Sequence, residues 1–378
     1  MPVPDSPTLR LTRELIARRS LTPDDAGCCA LFEQALAPLG FAFEYLNTEG
    51  VTNLWATWGE SGPLIILAGH TDVVPTGPLS QWQSDPFTPT ERDGLLYGRG
   101  AADMKSGLAA MVTAVQRLLT RRRPRARLAF LITSDEEGLA QFGTRYVVAQ
   151  LAARGIRPDY AIVGEASSNL QLGDRIVIGR RGSLNGRLKL FGKQGHVAYP
   201  HKTENPLHRA LPALAQLAAE TWDAGNAHFP PTSFQISNLH AGTGANNMVP
   251  GECELLFNFR YSTESTAASL QQRVHAALDA QRLRYSLHWQ LSGEPFLTAQ
   301  GALIGAAREA IRDTTGLSPE LFTGGGTSDA RFLAPWGAQT VEIGPVNDSI
   351  HKLDEHVRVA DLEPLSRIYE GILERLSA

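Results

Sequence analysis

Short apolar runs alternate with a helical pattern in the first half of this chain, and this alternation restricts the fold more than any other feature. Runs of four or five apolar residues occur at 64–68, 128–132 and 160–163, the length typical of strands that are buried on both faces. Between the first two runs, apolar residues from 108 to 119 recur with the period of an amphipathic helix. This order predicts an α/β domain with a mostly parallel sheet and helices on both faces.

The pattern changes at about residue 182. In chain order, the predicted elements that follow are a strand at 186–191, a helix at 206–220, strands at 233–239 and 252–261, a helix at 266–281 and a strand at 283–291. The order β-α-β-β-α-β is typical of a small α+β domain of the split-βαβ, ferredoxin-like type. A helix at 302–314 and a strand at 340–343 then resume the first pattern. We therefore predict an α/β domain formed by residues 1–181 and 295–378, interrupted by an inserted domain at 182–294.

Composition excludes several classes of protein. The chain has 378 residues, of which 20% are charged, and a formal net charge of −4, which gives no general reason to expect nucleic-acid binding. An arginine-rich stretch at 121–127 is best explained as the solvated end of a helix. No apolar run approaches the roughly 18 residues of a membrane helix, and the first 20 residues lack the apolar stretch of a signal peptide. With three cysteines in no metal-binding or disulfide pattern, we expect a cytoplasmic protein without nucleic-acid or membrane partners.

Potential metal ligands follow the predicted strands of the α/β domain. One group each comes after the strands at 64–68, 128–132, 160–163 and 340–343, and one aspartate begins the helix near 106. These residues are His70, Asp72, Asp103, Asp135, Glu136, Glu137, Glu165 and His351. Ligands of open α/β sheets bind beyond the carboxyl ends of the strands, so these side chains are expected to converge on one edge.

Five of these residues match the needs of two divalent cations: one bridging carboxylate, and one histidine plus one carboxylate for each ion. The candidate ligands are His70, Asp103, Glu137, Glu165 and His351. The Asp72 carboxylate would accept the second imidazole N–H of a ligand histidine, and Glu136 would move protons between water and a leaving amine. Taken alone, an acidic stretch such as 135–137 is more often a solvated turn than a ligand group, and Asp103 could serve only as a helix cap.

The motifs as a set resemble those of the M20 family of metallopeptidases and deacylases. ILAGHTDVVPTG, GRGAADMKSG, TSDEEG and IVGEASS occur in this order, followed by RRGSLNG, GKQGHVAYPH, GTGANNMVPG, NFRYST, GGGTSDARF and VNDSIHKLDEHV. The resemblance runs nearly from end to end. It implies a metal-dependent amidohydrolase with two Zn²⁺ per subunit, for which Co²⁺ is a possible substitute.

The resemblance also implies roles for individual residues. His70 and Glu165 would hold one ion, Glu137 and His351 the other, and Asp103 would bridge them. Glu136 would be the general acid and base, and Asp72 an orienting carboxylate. The inserted domain would serve as a lid and as the interface of a homodimer, from which His196 would reach the partner's site and stabilise an oxyanion.

Within that family, the later motifs match members that hydrolyse N-succinyl-LL-2,6-diaminopimelate to succinate and LL-2,6-diaminopimelate, a step of lysine and diaminopimelate biosynthesis. Arginines and neutral donors would bind the several carboxylates of this substrate. The candidates are Arg180, Arg181, Ser183, Tyr199, Asn246, Asn247, Arg260, Thr327 and Asn347. Arg181 and Arg260 are equally well explained as residues on a strand surface, and the glycines at 324–326 as a simple loop.

Two other functions stay open at this point. An enzyme similar to acetylornithine deacetylase or to a dipeptidase would share the metal ligands and differ in its substrate pocket. A binding protein without catalytic activity would keep the fold, although the full ligand set and Glu136 argue against it.

Overall fold

The structure is a computed structural model that describes residues 5–377. It consists of two compact units. Unit 1 contains the described residues up to Gly179, Thr298–Phe322 and the described residues from Ser328 onward; unit 2 contains Arg180–Leu297 and Thr323–Thr327. The inserted domain is predicted at 182–294, and in the structure the corresponding segment is Arg180–Leu297. The short segment Thr323–Thr327 also belongs to unit 2, although it is predicted to be part of the α/β domain.

The helices are distributed over both units. In chain order they are α1 (Pro7–Ile16), α2 (Cys28–Leu36), α3 (Ser106–Arg121), α4 (Thr144–Ala153), α5 (Pro206–Ala219), α6 (Ala267–Ala280), α7 (Ala302–Thr315), α8 (Ala330–Leu333) and α9 (Val359–Leu376). None of them, within residues 5–377, is long and apolar enough to cross a lipid bilayer.

The strands range from two to ten residues in length. They are β1 (Ala42–Tyr45), β2 (Asn53–Trp58), β3 (Leu64–His70), β4 (Thr90–Arg92), β5 (Leu95–Tyr97), β6 (Arg127–Thr133), β7 (Tyr160–Val163), β8 (Arg175–Val177), β9 (Gly179–Arg180), β10 (Gly182–Phe191), β11 (Gly195–His196), β12 (Ser233–Ala241), β13 (Met248–Val249), β14 (Glu252–Tyr261), β15 (Tyr285–Gly293), β16 (Phe296–Leu297), β17 (Glu320–Phe322), β18 (Gln339–Glu342) and β19 (His356–Arg358).

Unit 1 is built on a large mixed sheet. Among the described residues its strand order is β1-β2-β6-β3-β7-β18-β8-β17. The four central strands β6, β3, β7 and β18 run parallel to one another, while β1 and β2 pair antiparallel at one edge. The carboxyl ends of the four parallel strands therefore lie at the same edge of the sheet.

The apolar runs found in the sequence correspond to these central strands. Every residue of β3 is buried, and β6 is buried from Leu128 to Thr133. Such strands have no solvent-facing side, which explains why their sequences show continuous apolar runs instead of alternation. Helix α3 packs against α1 and α9, and α7 also packs against α9. The predicted α/β class of this unit is confirmed.

Unit 2 contains a four-stranded antiparallel sheet with the order β12-β14-β10-β15, together with α5 and α6. Buried and half-buried residues alternate along β14, because alternate side chains of a strand point to opposite faces. Its buried members, among them Leu255, Phe257 and Phe259, form one core with Leu270 and Val274 of α6. The chain order β10-α5-β12-β14-α6-β15 is the predicted split-βαβ arrangement, which is confirmed.

Candidate metal centre

The candidate ligands of unit 1 all lie beyond the carboxyl ends of the parallel strands or next to them. His70 is the last residue of β3, Glu137 follows β6, and Glu165 follows β7. His351 comes from the loop after β18, and Asp103 from the turn before α3. The parallel sheet thus brings together residues that are far apart in sequence.

One group consists of His70, Asp103 and Glu165. His70 Nε2 lies 3.2 Å from Asp103 Oδ1 and 3.6 Å from Glu165 Oε1. One ligand atom from each of the three residues lies within 4.8 Å of the other two. All three side chains are largely withdrawn from solvent. These are the three residues to which the family resemblance assigns one of the ions.

A second group shares Asp103 and adds Glu137 and His351. His351 Nε2 lies 2.9 Å from Glu137 Oε1 and 3.3 Å from Asp103 Oδ2. These ligand atoms are also within 4.8 Å of one another. Asp103 therefore directs one carboxylate oxygen to each group, which is the geometry required of a bridging ligand. The side chain of His351 is 50% exposed, so this end of the centre is open to solvent.

The donor set fits two divalent cations of the zinc type. Imidazole nitrogens and carboxylate oxygens are ligands that Zn²⁺ accepts in proteins. Each group supplies one histidine and one carboxylate of its own in addition to the shared Asp103. Three protein ligands leave room for a further ligand at each ion, as in catalytic zinc sites. The ligand roles themselves stay predictions.

Close backbone packing fixes the position of Glu165. A Cβ atom on Gly107, in the first turn of α3, would lie 2.2 Å from the carbonyl oxygen of Gly164. A Cβ atom on Gly344 would lie 2.2 Å from the carbonyl oxygen of Glu165. Both are glycines because no side chain fits at these distances. The absence of a Cβ at these two positions lets α3 approach the residue before Glu165, and lets Gly344, just after β18, approach Glu165 itself.

Asp72 orients the loop that follows β6. Its buried carboxylate accepts the backbone N–H of Glu137 at 3.1 Å and that of Glu136 at 3.3 Å. From the sequence, this carboxylate is predicted to accept the N–H of His70. In the structure, however, His70 Nδ1 lies 2.8 Å from the backbone carbonyl of Asp72 and 3.6 Å from its carboxylate. The difference arises because the nearer backbone carbonyl occupies the imidazole N–H, which leaves the side chain for the Glu136–Glu137 turn.

Glu136 lies beside the ligands without belonging to either group. Its carboxylate is 3.5 Å from the guanidinium of Arg331, and both side chains are nearly inaccessible to solvent. Burial, with the charges of Glu165 and Asp329, outweighs the opposing effect of His70 and Arg331 and raises the pKa of Glu136 well above its ordinary value. A raised pKa makes the carboxyl a stronger proton acceptor than an exposed glutamate, which suits a group that takes a proton from water.

The other pKa shifts reflect strong coupling between imidazoles and carboxylates. Hydrogen bonds to Asp103 and Glu137 raise the pKa of His351 to about 10. Burial opposes the charged form of His70, but hydrogen bonds to Asp103 and Glu165 raise its pKa well above the usual range. Burial and the nearby charge of Asp103 raise the pKa of Glu165 to about 8. Binding of a cation by these residues would require the imidazoles to lose their protons, so the affinity for the cation is expected to fall as the pH is lowered.

The candidate substrate residues of unit 2 fall into two places. Ser183 on β10 is paired with Arg260 on β14, and Asn258 Nδ2 donates to Ser183 Oγ at 3.1 Å. Arg180, just before β10, donates to the carbonyl of Gly324 at 2.8 Å. Arg181 is half-buried, and its Nε has no hydrogen-bond partner among the described residues. Thr327 ends the segment 323–327, which belongs to the same unit.

The second place in unit 2 is the short pairing of β11 with β13. His196 is paired with Met248, and the backbone N–H of Val197 donates to the carbonyl of Asn247 at 3.0 Å. The His196 ring lies 5.7 Å from the ring of Tyr199. His196, Tyr199, Asn246 and Asn247 are exposed. The remaining candidate, Asn347, belongs to unit 1, where its backbone N–H donates to Ser168.

Three residues close to the centre were not identified from the sequence. Arg331 faces Glu136, and a buried ion pair of Arg99 with Glu355 supports the turn that carries Asp103. All three occur inside the quoted motifs, but a charged residue in a loop is most often solvated. Only the packing of distant segments shows that these three are buried.

Comparison with known proteins shows the class to which the chain belongs. The sequence model of Peptidase family M20/M25/M40 matches residues 66–375. The chain is therefore a member of this family, as the motifs indicated.

Similar proteins of known name agree among themselves. A protein of Thioalkalivibrio sulfidiphilus named succinyl-diaminopimelate desuccinylase is 61% identical over 98% of this chain and 99% of its own length. A protein of Alkalilimnicola ehrlichii with the same name is 60% identical over the same shares. Among solved structures, an M20 family metallo-carboxypeptidase of Sulfolobus solfataricus matches 98% of this chain and 99% of its own, with a TM-score of 0.82 at 18% identity. This likeness confirms the fold.

Proposed function

We propose that this protein is a di-zinc amidohydrolase that cleaves N-succinyl-LL-2,6-diaminopimelate to succinate and LL-2,6-diaminopimelate. The observation that carries the proposal is the placement of Glu136 beside two ligand groups that share Asp103. The substrate is supported by relatives named succinyl-diaminopimelate desuccinylase that are 60–61% identical over nearly the whole chain.

His70, Asp103 and Glu165 would hold one zinc ion, and Asp103, Glu137 and His351 the other. When bound, the two ions supply Lewis acidity, which lowers the pKa of water to near 7 and polarises an amide carbonyl. Cobalt, which accepts the same nitrogen and oxygen ligands, is the expected substitute. Asp72 keeps the turn with Glu136 and Glu137 in place through two N–H···O bonds.

Glu136 would move the proton of the reaction. Its carboxylate accepts a proton from the attacking water and returns it to the nitrogen of the leaving amine. Burial of Glu136 keeps its pKa above the ordinary value, which strengthens the carboxylate as the proton acceptor in the first transfer. The Arg331 guanidinium lies 3.5 Å from this carboxylate, and its positive charge partly offsets the effect of burial on the Glu136 pKa.

Arg180 and Arg260 are the proposed partners of the substrate carboxylates, since guanidinium groups bind carboxylates through two parallel hydrogen bonds. Arg181, Ser183, Tyr199, Asn246, Asn247, Thr327 and Asn347 are proposed as further contacts. His196 is proposed to stabilise the oxyanion of a partner subunit.

A homodimer through unit 2 is part of the proposal. Strand β12 lies at an edge of the sheet of unit 2, and its residues from Asn238 to Ala241 are exposed. An exposed edge strand offers unpaired backbone groups to a second chain. The cysteines Cys28, Cys29 and Cys253 are free and buried, which suits the reducing cytoplasm proposed as the location.

The test is amide hydrolysis by the metal-free protein before and after addition of zinc. We expect zinc-dependent cleavage of N-succinyl-LL-2,6-diaminopimelate, with a much lower kcat/KM for N-acetylornithine and for dipeptides. A preference for either alternative substrate would replace the proposed activity by that of the corresponding deacetylase or dipeptidase. Absence of zinc binding and of all hydrolysis would favour a binding protein that kept the fold.

A further inference from the structure

The carboxylate of Glu355 is buried and organises the turn that carries Asp103. Its side chain is only 1% exposed. Oε1 accepts the backbone N–H groups of Ala102 at 2.9 Å and Asp103 at 3.0 Å. Oε2 accepts the N–H of Gly100 at 3.0 Å and Nη1 of Arg99 at 2.8 Å. Both oxygens are therefore fully used, and four donors of one turn converge on a single side chain.

Arg99 extends this arrangement to two further segments. Its Nη1 also donates to the carbonyl of Lys352 at 3.1 Å, and its Nη2 donates to the carbonyl of Pro75 at 3.4 Å. Its guanidinium lies 5.1 Å from the centre of the Trp82 ring. The buried pair thus joins the turn at 99–103, the loop at 351–355 and the loop that follows Asp72.

Two of the joined segments carry proposed ligands. Asp103 is at the end of the first turn, and His351 adjoins Lys352 in the loop. His351 and Asp354 both have positive φ angles, of 59° and 54°. This conformation costs free energy in residues other than glycine and persists only where the surroundings hold it. The contact of Arg99 with Lys352 and that of Asp354 Oδ1 with the N–H of Gln83, at 2.9 Å, hold the loop on either side.

A buried ion pair is a poor device for stability alone. Removing two charges from water costs several kcal/mol per ion, and apolar residues of the same volume are often at least as stabilising. What such a pair supplies is a fixed geometry between the segments that it joins. Here those segments are the ones that present Asp103 and His351.

We propose that Arg99 and Glu355 are positioning residues that set the placement of Asp103 relative to His351, and that zinc affinity depends on this pair. The inference rests on the proposed function, because it assumes that both residues are zinc ligands. Neither Arg99 nor Glu355 is itself assigned to the metal or to the substrate.

The test compares zinc affinity in Glu355→Gln with that in the unmodified protein. The glutamine is nearly isosteric, but its NH₂ group would face backbone N–H groups or Arg99 and would break two of the four hydrogen bonds. Zinc is titrated in competition with a chromophoric chelator, at a temperature where both proteins are folded by circular dichroism. We expect the affinity for at least one zinc ion to fall by about 10- to 100-fold.

Glu370→Gln is the matched control. Glu370 is buried on α9 and accepts a hydrogen bond from Arg117 Nε at 2.7 Å. This variant therefore also removes the charge of a buried carboxylate from an ion pair of unit 1, but from a pair whose partners are not proposed ligands. We expect a loss of thermal stability with unchanged zinc affinity. Equal weakening of zinc binding in Glu370→Gln and Glu355→Gln would show a general effect of stability and would overturn the proposal.

A second variant covers the case in which Glu355→Gln does not fold. Arg99→Lys keeps the positive charge but has a single ammonium group, which cannot serve Glu355, Lys352 and Pro75 together. We expect it to weaken zinc binding in the same direction. Suppose that the unmodified protein binds two zinc ions and hydrolyses the substrate, and that a folded variant binds zinc with unchanged affinity. This result would overturn the positioning role and leave the proposed function intact. Failure of the unmodified protein to bind zinc would overturn both.

Discussion

Glu136 is the residue on which the proposed chemistry depends most directly. Replacing it by glutamine removes the proton acceptor but keeps the size of the side chain and the backbone N–H that donates to Asp72. We expect Glu136→Gln to lower kcat by about 10²- to 10⁴-fold, the usual contribution of a general acid–base group, while two zinc ions still bind. Steady-state kinetics and metal analysis of the purified variant check this. Turnover close to that of the unmodified protein would remove Glu136 from the role.

A second residue-scale prediction concerns the stability of unit 2 in acid. Burial opposes ionisation of Asp223, but hydrogen bonds from Ser265 and Thr232 and from backbone N–H groups outweigh it and lower its pKa to about 2. Because the pKa is lower in the folded chain than in the unfolded one, the stabilisation is complete above the ordinary value near 4 and is lost as pH falls toward 2.

We therefore expect Asp223→Asn to lower the free energy of unfolding by roughly 1–2 kcal/mol at neutral pH, a figure reduced for partial exposure of the group. The difference between the two proteins should shrink as the pH falls from about 4 to 2. Urea unfolding at several pH values measures it. A difference that stays constant over this range would show that the charge of Asp223 is not the cause.

At the scale of elements, the approach of α3 to Gly164, just after β7, leaves no room for a side chain. A methyl group on Gly107 would collide with the carbonyl of Gly164, at 2.2 Å, and backbone cannot move aside as a flexible side chain can. We expect Gly107→Ala to lower the free energy of unfolding by about 1–3 kcal/mol through overpacking and to weaken zinc binding, because Glu165 is the next residue.

Gly305 provides the control for this prediction. It lies inside α7, and nothing lies within 4 Å of the position that a Cβ atom would take. Gly305→Ala should therefore raise the free energy of unfolding by about 0.5–1 kcal/mol, the ordinary advantage of alanine over glycine in a helix. Thermal and urea unfolding of both variants give the comparison. Equal stability of the two variants would mean that the close approach at Gly107 has no energetic consequence.

Sequence patterns predict best those strands that are buried on both faces or regularly on one face. The fully buried run at 64–68 and the regular alternation at 252–261 become β3 and β14, since burial on both faces or on one face leaves a direct trace in the sequence. The boundaries shift by a few residues: β3 continues to His70, and β15 begins at Tyr285 instead of Leu283. The antiparallel edge formed by β1 and β2 and the short strands β8 and β17 were not identified, because none of these strands contains an uninterrupted run of four apolar residues.

In the candidate site, too, some features could be predicted from the sequence and others could not. Ligand residues at strand ends could be predicted, because the topology of a parallel sheet fixes where such ends meet. The hydrogen bond of His70 to a backbone carbonyl, and the burial of Glu355, depend on loops whose course no local pattern determines. The supporting residues are therefore visible only in the folded chain.

For the whole molecule, the proposed homodimer predicts complementation between defective chains. If His196 acts in the partner's site, mixing His196→Ala with Glu136→Gln protein should form hybrid dimers in which one site has both an intact Glu136 and an intact His196. We expect partial recovery of activity after subunit exchange, whereas each variant alone stays nearly inactive. Size-exclusion chromatography with light scattering establishes the dimer and the exchange. Verified exchange without recovery would place His196 outside the partner's site.

The position of β18 has a consequence for how the protein is made. This strand lies between β7 and β8 in the sheet, yet it is synthesised after the whole of unit 2, and His351 follows it. While a ribosome is still translating unit 2, the emerging chain has a gap in its sheet and lacks His351, a proposed ligand of the second ion. Loading of the proposed two-ion centre would therefore have to follow the synthesis of β18 and His351. It would not take place while unit 2 is being translated.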